Sequence, residues 1–148
     1  MQTDISIRKA QSKDREGIEE LLNSCDLPSE DLTVNHLQHF HLIEHKGQIR
    51  AVAGLEIYGS DGLLRSLAVD EQHRKKGWGK KLTERTEAYA REQELEGLYL
   101  LTTTADTFFK SLGYKKVDRS LLPEQIRQSS QFKDICPSTA IAMQKGLQ

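Results

Sequence analysis

The stretch "HRKKGWGKKL", residues 73–82, decides the fold. It gathers Arg74, Lys75, Lys76, Lys80 and Lys81 around Gly77, Trp78 and Gly79, in a chain whose formal net charge is only −1. Just before it, "GLLRSLAVD" (62–70) reads as a β-strand. Just after it, Leu82, Thr86, Tyr89 and Ala90 recur at helical spacing along an otherwise charged segment, which predicts a helix from about Gly79 to Glu94. The basic cluster therefore falls at a strand-to-helix turn. Free backbone N–H groups and the positive end of the helix dipole favour an anion at such a turn. Glycine lets the backbone approach a bulky phosphate, and the cationic side chains add charge-assisted hydrogen bonds. These residues ask for a phosphate, most naturally a pyrophosphate held by main chain.

Outward from this turn the chain organises itself. "ISIRK" alternates as a short strand, and Ile18, Leu21, Leu22 and Cys25 mark one helical face with Ser12 as its expected cap. A short helix is expected in "EDLTVNHLQHF", followed by a hairpin around Lys46-Gly47. "GLYLLTTT" (97–104) is a nearly continuous apolar run, as in a strand covered on both faces. A short helix in "ADTFFKSLG" ends at Gly113 and a strand follows in "YKKVDR". A short helix with Pro123 in its first turn and a last strand in "STAIAMQK" close the chain. Strands alternating with helices in the second half imply βαβ units, and the first half adds an antiparallel hairpin. The expectation is an α/β fold: a mixed sheet of about seven strands, helices on both faces, one domain over residues 1–148.

Composition narrows the function. With 36% hydrophobic and 29% charged residues the chain reads as a soluble globular protein. Near-neutral charge and 6% aromatic content argue against nucleic acid as a partner. No run approaches the 18 apolar residues of a membrane span, and "MQTDISIRKA" has no apolar core or cleavage pattern. The two cysteines, Cys25 and Cys136, form no CxxC pattern, so a reducing, cytoplasmic setting is the simpler expectation. His36, His39, His41 and His45 lie close in sequence, but no cysteine or tight carboxylate pattern completes a metal site, and no metal is expected.

The phosphate motif excludes two common ligands. GxxxxGK[ST] is absent, and Gly77 and Gly79 are followed by Leu82 rather than the third glycine of GxGxxG. What stands is Arg74-x-x-Gly77-x-Gly79 after "LAV". This resembles the acetyl-CoA motif [QR]-x-x-G-x-[GA] of the GNAT N-acyltransferases. "TFFKSLGYKKV" is similar to the F-[YF]-x-x-x-G-[FY] segment of that family, with Phe108, Phe109, Gly113 and Tyr114 in place. The longer stretches "LLRSLAV", "LYLLTTTADTFFKSLGYKKVDRSLLPEQIRQSSQF" and "CPSTAIAMQK" resemble its arsenic-resistance branch, which is associated with acetylating an arsenic-containing glutamate mimic.

The resemblance implies a GNAT fold, acetyl-CoA as co-substrate without a metal, and an N-acetyltransferase acting on a small amine or amino-acid acceptor. Leu67, Ala68 and Val69 would offer backbone groups to the pantetheine arm, with an amide near Leu67 bonding the thioester oxygen. Arg74, Lys75, Lys76, Gly77, Trp78, Gly79 and Lys80 would hold the pyrophosphate, and Phe109 would line the cofactor. Glu56 is the expected base, acting through a water. Many family members carry a tyrosine where Phe109 stands, and it protonates the leaving thiolate. Tyr114, Ser111 or water would have to substitute. With a thiol pKa near 8.5, the missing acid costs at most about 2 kcal/mol at neutral pH. Weak acid–base equipment suits an α-amine better than a lysine side chain, whose pKa lies near 10.4. Arg65, Thr102, Thr103 and His41 are the expected acceptor contacts. Homodimers are frequent in the family, and no residue here demonstrates one. The absent tyrosine keeps a second reading open, a non-catalytic acyl-CoA sensor.

Overall fold

The computed structural model describes residues 5–27, 29, 32–129, 132 and 140–147. Cys136 and the first residues of the expected last strand lie outside the described residues. In chain order the elements are β1 (Ile5–Lys9), α1 (Arg15–Ser24), α2 (Val34–Leu37), β2 (Phe40–His45), β3 (Gln48–Tyr58), β4 (Asp61–Val69), α3 (Trp78–Glu92), β5 (Gly97–Thr102), α4 (Asp106–Ser111), β6 (Lys115–Val117), α5 (Glu124–Arg127) and β7 (Ile141–Gly146). This is the predicted order of strands and helices. The seven strands form one mixed sheet in the order β1-β2-β3-β4-β5-β7-β6. β1, β2 and β3 pair antiparallel, and so do β5, β7 and β6. β4 and β5, joined through α3, pair parallel as a βαβ unit must.

The chain divides into two compact units. The first comprises Met1–Leu55 and Ser66–Thr86. Its core joins Ile18, Leu21 and Leu22 of α1 to Leu37, Phe40, Leu42, Val52 and Ala68, with Cys25 packed at the margin. The face predicted for α1 is thus the buried one, but its start differs. Ser12 falls in a separate 3-10 turn (Ser12–Asp14), and Asp14 occupies the N-cap of α1. The Asp14 carboxylate accepts from the Gln11 N–H at 2.8 Å and from Arg8 Nη1 at 2.8 Å. Gly54 is required by a close approach. A Cβ there would lie 2.2 Å from Cε1 of Phe40, its partner on β2.

The second unit comprises Glu56–Arg65 and Glu87–Gln148. Its core gathers Leu63, Leu122, Ile126 and Ala142, flanked by Tyr58, Tyr99, Leu101, Val117 and Phe132. Pro123 precedes α5 at the N-cap rather than sitting inside its first turn. Gly113 carries φ 99° after α4, the left-handed conformation expected of a helix-ending glycine.

α3 buries Leu82, Thr86, Tyr89 and Ala90 as its spacing predicts, and Thr83 and Glu87 as well. The buried hydroxyls are satisfied locally. Thr83 donates to the Gly79 carbonyl at 2.8 Å and Thr86 to that of Leu82 at 2.9 Å.

Candidate active site

The parallel ladder of β4 with β5 covers Asp61–Leu64 against Gly97–Leu100, yet β4 continues to Val69 and β5 to Thr102. Immediately past the ladder, Ser66 takes φ 60°, left-handed backbone inside a strand. Such a residue breaks the two-residue alternation of side chains. Unbroken alternation along β4 would put Arg65, the expected acceptor contact, on the face of Leu67 and Val69, and the left-handed Ser66 between them interrupts it. Arg65 and Ala68 are buried, while Ser66, Leu67 and Val69 are half-buried.

After β4 the chain turns through Glu71–His73 and runs exposed from Arg74 to Gly77. Lys75 and Gly77 have φ values of 69° and 81°. No atom lies within 4 Å of a Cβ built on Gly77, so only its backbone conformation calls for glycine. The Gly77 carbonyl accepts from Lys81 N–H at 3.0 Å, which opens α3 at Trp78. The amides of that first turn have no acceptor within the helix. Arg74, Lys75, Lys76 and Lys80 all stand exposed around them. Arg74 Nε donates to the Val69 carbonyl at 3.1 Å, and Nη2 lies 3.5 Å from Cys25 Sγ. The Val69 carbonyl, one of the groups expected to meet pantetheine, is therefore engaged by Arg74.

The loop is braced from below. Asp70 Oδ2 accepts from Arg50 Nη1 at 2.8 Å, and Oδ1 accepts from the Gln72 N–H at 3.2 Å. These contacts hold the Asp70 carboxyl below the ordinary range against the opposing effect of its partial burial. Trp78 is buried, stacked on His73 and tilted against His45, with Lys76 Nζ 5.4 Å above its ring. The indole is a packing group under the loop.

The structure brings two predicted site residues together. Arg65 Nη1 donates to Glu56 Oε2 at 2.7 Å, with side-chain exposures of 1% for Arg65 and 6% for Glu56. Tyr58, which sequence reasoning missed, donates its hydroxyl to Glu56 Oε1. Its signal was present: Glu56 and Tyr58 are two apart on β3 and so share a face. One guanidinium N–H of Arg65, the residue expected to grip an acceptor, is thus given to Glu56.

The remaining predicted residues go elsewhere. Tyr114, expected as a substitute acid, is buried and donates to Glu87 Oε2 at 2.9 Å. Burial, and then the Glu87 charge, push its phenol far above the usual range, which makes it a poor proton donor to a thiolate. Lys145 Nζ closes the cluster at 3.1 Å from the same oxygen. Phe109 is buried with its ring edge-on to Tyr114 at 5.6 Å. Thr102 Oγ1 accepts from Ala105 N–H at 2.9 Å, shaping the turn into α4, and Thr103 is exposed. His41 is buried on β2, and desolvation, aided by Arg85, lowers its pKa to about 4.

A seven-stranded mixed sheet in this order, with a glycine turn and basic loop between β4 and α3, is the architecture of a GNAT acetyltransferase. The family model described as an acetyltransferase (GNAT) domain matches residues 36–116, and the chain belongs to that family. An uncharacterized N-acetyltransferase of Chlorobaculum tepidum (CT2212) is 33% identical over 63% of this chain and 60% of its own length. The amino-acid acetyltransferase of Pseudomonas fluorescens Pf0-1 is 32% identical over 79% of this chain. The chain spans only 29% of that relative's length. Among solved structures, N-acetylglutamate synthase from Neisseria gonorrhoeae, complexed with coenzyme A and N-acetyl-glutamate, superposes with a TM-score of 0.86 at 24% identity. It covers all of this chain and 36% of that one. Rv2747 from Mycobacterium tuberculosis gives a TM-score of 0.83 at 20% identity, covering 97% of this chain and 99% of that one.

Proposed function

We propose that the protein is an acetyl-CoA-dependent N-acetyltransferase acting on the amino group of a small amino-acid-like acceptor. The carrying observation is the turn into α3: left-handed Gly77 at the start of a helix and four exposed cations directly after β4. Helix-start amides and several cations within one short loop suit a diphosphate better than a neutral ligand. The relatives named amino-acid acetyltransferases support the acceptor class.

In this reading residues 74–80 hold the diphosphate and the backbone of Leu67 and Ala68 meets the pantetheine arm, the Val69 carbonyl being engaged by Arg74. The Leu67 amide, turned by the left-handed Ser66, faces the thioester oxygen. One such donor to a developing oxyanion contributes about 3–4 kcal/mol elsewhere. Acetyl-CoA supplies the acetyl group as a thioester. Glu56 takes a proton from the acceptor ammonium through a water. The new N–C bond forms, the nitrogen gives up its second proton to solvent as the C–S bond breaks, and coenzyme A departs as a thiolate that takes up a proton from solvent. The acceptor we favour is an arsenic-containing glutamate analogue, following the branch resemblance, and the setting is the cytoplasm. No part of the reading depends on a homodimer.

Thiol release from acetyl-CoA, measured across the amino acids and their arsenic-containing analogues, tests this. Release with at least one amine, together with the N-acetylated product by mass spectrometry, is expected. Acetyl-CoA binding without release for any amine would contradict it and favour the acyl-CoA sensor.

A further inference from the structure

We infer that Tyr58 and Arg65 are positioning residues that hold the two carboxylate oxygens of Glu56 in the orientation that receives the acceptor's proton. The inference rests on the acetyltransferase reading above. It assigns Arg65 to Glu56 rather than to the acceptor, and it brings in a residue, Tyr58, that had no role.

The geometry divides the carboxylate cleanly. Oε1 accepts from the Tyr58 hydroxyl, and Oε2 accepts from Arg65 Nη1 at 2.7 Å. The group is thus anchored at both ends. Both side chains are buried, Arg65 1% and Glu56 6% exposed. An ion pair this dry is a poor stabilising device, since apolar residues of similar volume commonly replace one at no loss. Its geometric effect is to hold the Glu56 carboxylate in one orientation. A group so fixed accepts a proton without first reorganising.

The step is a proton transfer with nothing left over. The acceptor's ammonium loses one proton, Glu56 gains it, and the freed nitrogen lone pair attacks the thioester carbon. Tyr58 and Arg65 exchange no proton in this step. Their contribution is to the base's orientation, so it matters only while the amine arrives protonated. At pH 9.5 a far larger share of any α-amine is already neutral, and a well-held base matters less.

The test compares wild type, Tyr58→Phe, Arg65→Lys and Glu56→Gln, with L-glutamate and glycinamide as probes, at pH 7 and pH 9.5. Tyr58→Phe is expected to lower kcat about tenfold at pH 7, the usual loss for one hydrogen bond to a charged group. The same variant should keep the wild-type KM for both substrates, and its defect should shrink to about twofold at pH 9.5. Arg65→Lys should follow the same pattern, because it keeps the charge. A Tyr58→Phe defect equal at both pH values, or an Arg65→Lys defect confined to the KM for L-glutamate and absent for glycinamide, overturns the inference. Wild-type kcat in Glu56→Gln would remove Glu56 as the base while leaving acetyl transfer intact. Absence of thiol release by the wild type with every amine tried, the arsenic-containing glutamate analogue included, would overturn the inference together with the reading beneath it.

Discussion

The indole of Trp78 lies stacked on the imidazole of His73, ring centroids 4.7 Å apart and 13° from parallel. His73 ends the turn that leaves β4, and Trp78 begins α3. The stack therefore ties both ends of the basic loop to each other, while residues 74–77 between them are exposed. A charge-dense loop repels itself, and this apolar tie beneath it is one reason that it holds a shape.

Trp78→Ala should lower unfolding free energy by about 3–5 kcal/mol, the usual loss for a buried large aromatic. Trp78→Phe should keep most of it, since a smaller ring still covers His73. Urea unfolding of the three proteins measures the difference. Because Trp78 is the chain's single tryptophan, its emission also reports directly on the state of the loop.

Gly54→Ala should destabilise the protein by about 1–3 kcal/mol, because the added carbon meets the fully buried Phe40 ring at 2.2 Å. In a Gly54→Ala, Phe40→Leu double variant the two costs should fall short of their sum, since the smaller side chain removes the clash. Thermal unfolding of the four-protein cycle gives the coupling.

Lys145→Met should cost about 3–5 kcal/mol, because it leaves the Glu87 carboxylate buried without its cation. Tyr114→Phe should cost less, about 1–3 kcal/mol, because Glu87 keeps Lys145. The order of the two losses, measured by denaturant unfolding, is the sharper expectation. Tyr114→Phe should also leave the rate of acetyl transfer within about twofold, since its hydroxyl is engaged by Glu87.

His41 makes stability depend on pH. Its folded pKa is lowered to about 4 from 6.5. Between those values the unfolded chain binds the extra proton, so stability is full above pH 6.5 and falls as pH drops toward 4. The whole effect is about 3 kcal/mol. His41→Gln should flatten this stretch of the curve. Denaturant unfolding at half-unit intervals between pH 4 and pH 7 measures it. At lower pH Asp14 adds a second fall, because the Arg8 hydrogen bond holds its carboxyl below the ordinary range.

The order of elements was legible in the sequence because most of the signals are local. Ile18, Leu21 and Leu22 announce a helix face by spacing, Lys46-Gly47 announces a hairpin, and Gly77 and Gly79 announce the phosphate turn. The start of α1 was misplaced because Ser12 and Asp14 are both good caps, and tertiary contacts of Asp14 with Arg8 decided between them. The site was legible only in outline. Arg65 and Leu67 share a strand face on paper, and the left-handed Ser66 between them undoes that. Tyr114 and Glu87 are 27 residues apart, and no periodicity foretells their hydrogen bond. Tyr58 stands two residues from Glu56, but an aromatic near a strand end is ordinarily core, and nothing in the sequence marks its hydroxyl as a partner of Glu56.

The central claim is that main chain and cations at the start of α3 hold a diphosphate. Titration calorimetry of coenzyme A, and of pantetheine lacking the diphosphate, into wild type and Arg74→Ala tests it most directly. The account predicts that coenzyme A binds the variant about tenfold or more weakly, as the loss of one charge-assisted contact requires. Pantetheine should bind both proteins alike, and both should unfold at the same temperature. Equal affinity of the two proteins for coenzyme A, or pantetheine binding as tightly as coenzyme A, would contradict the account.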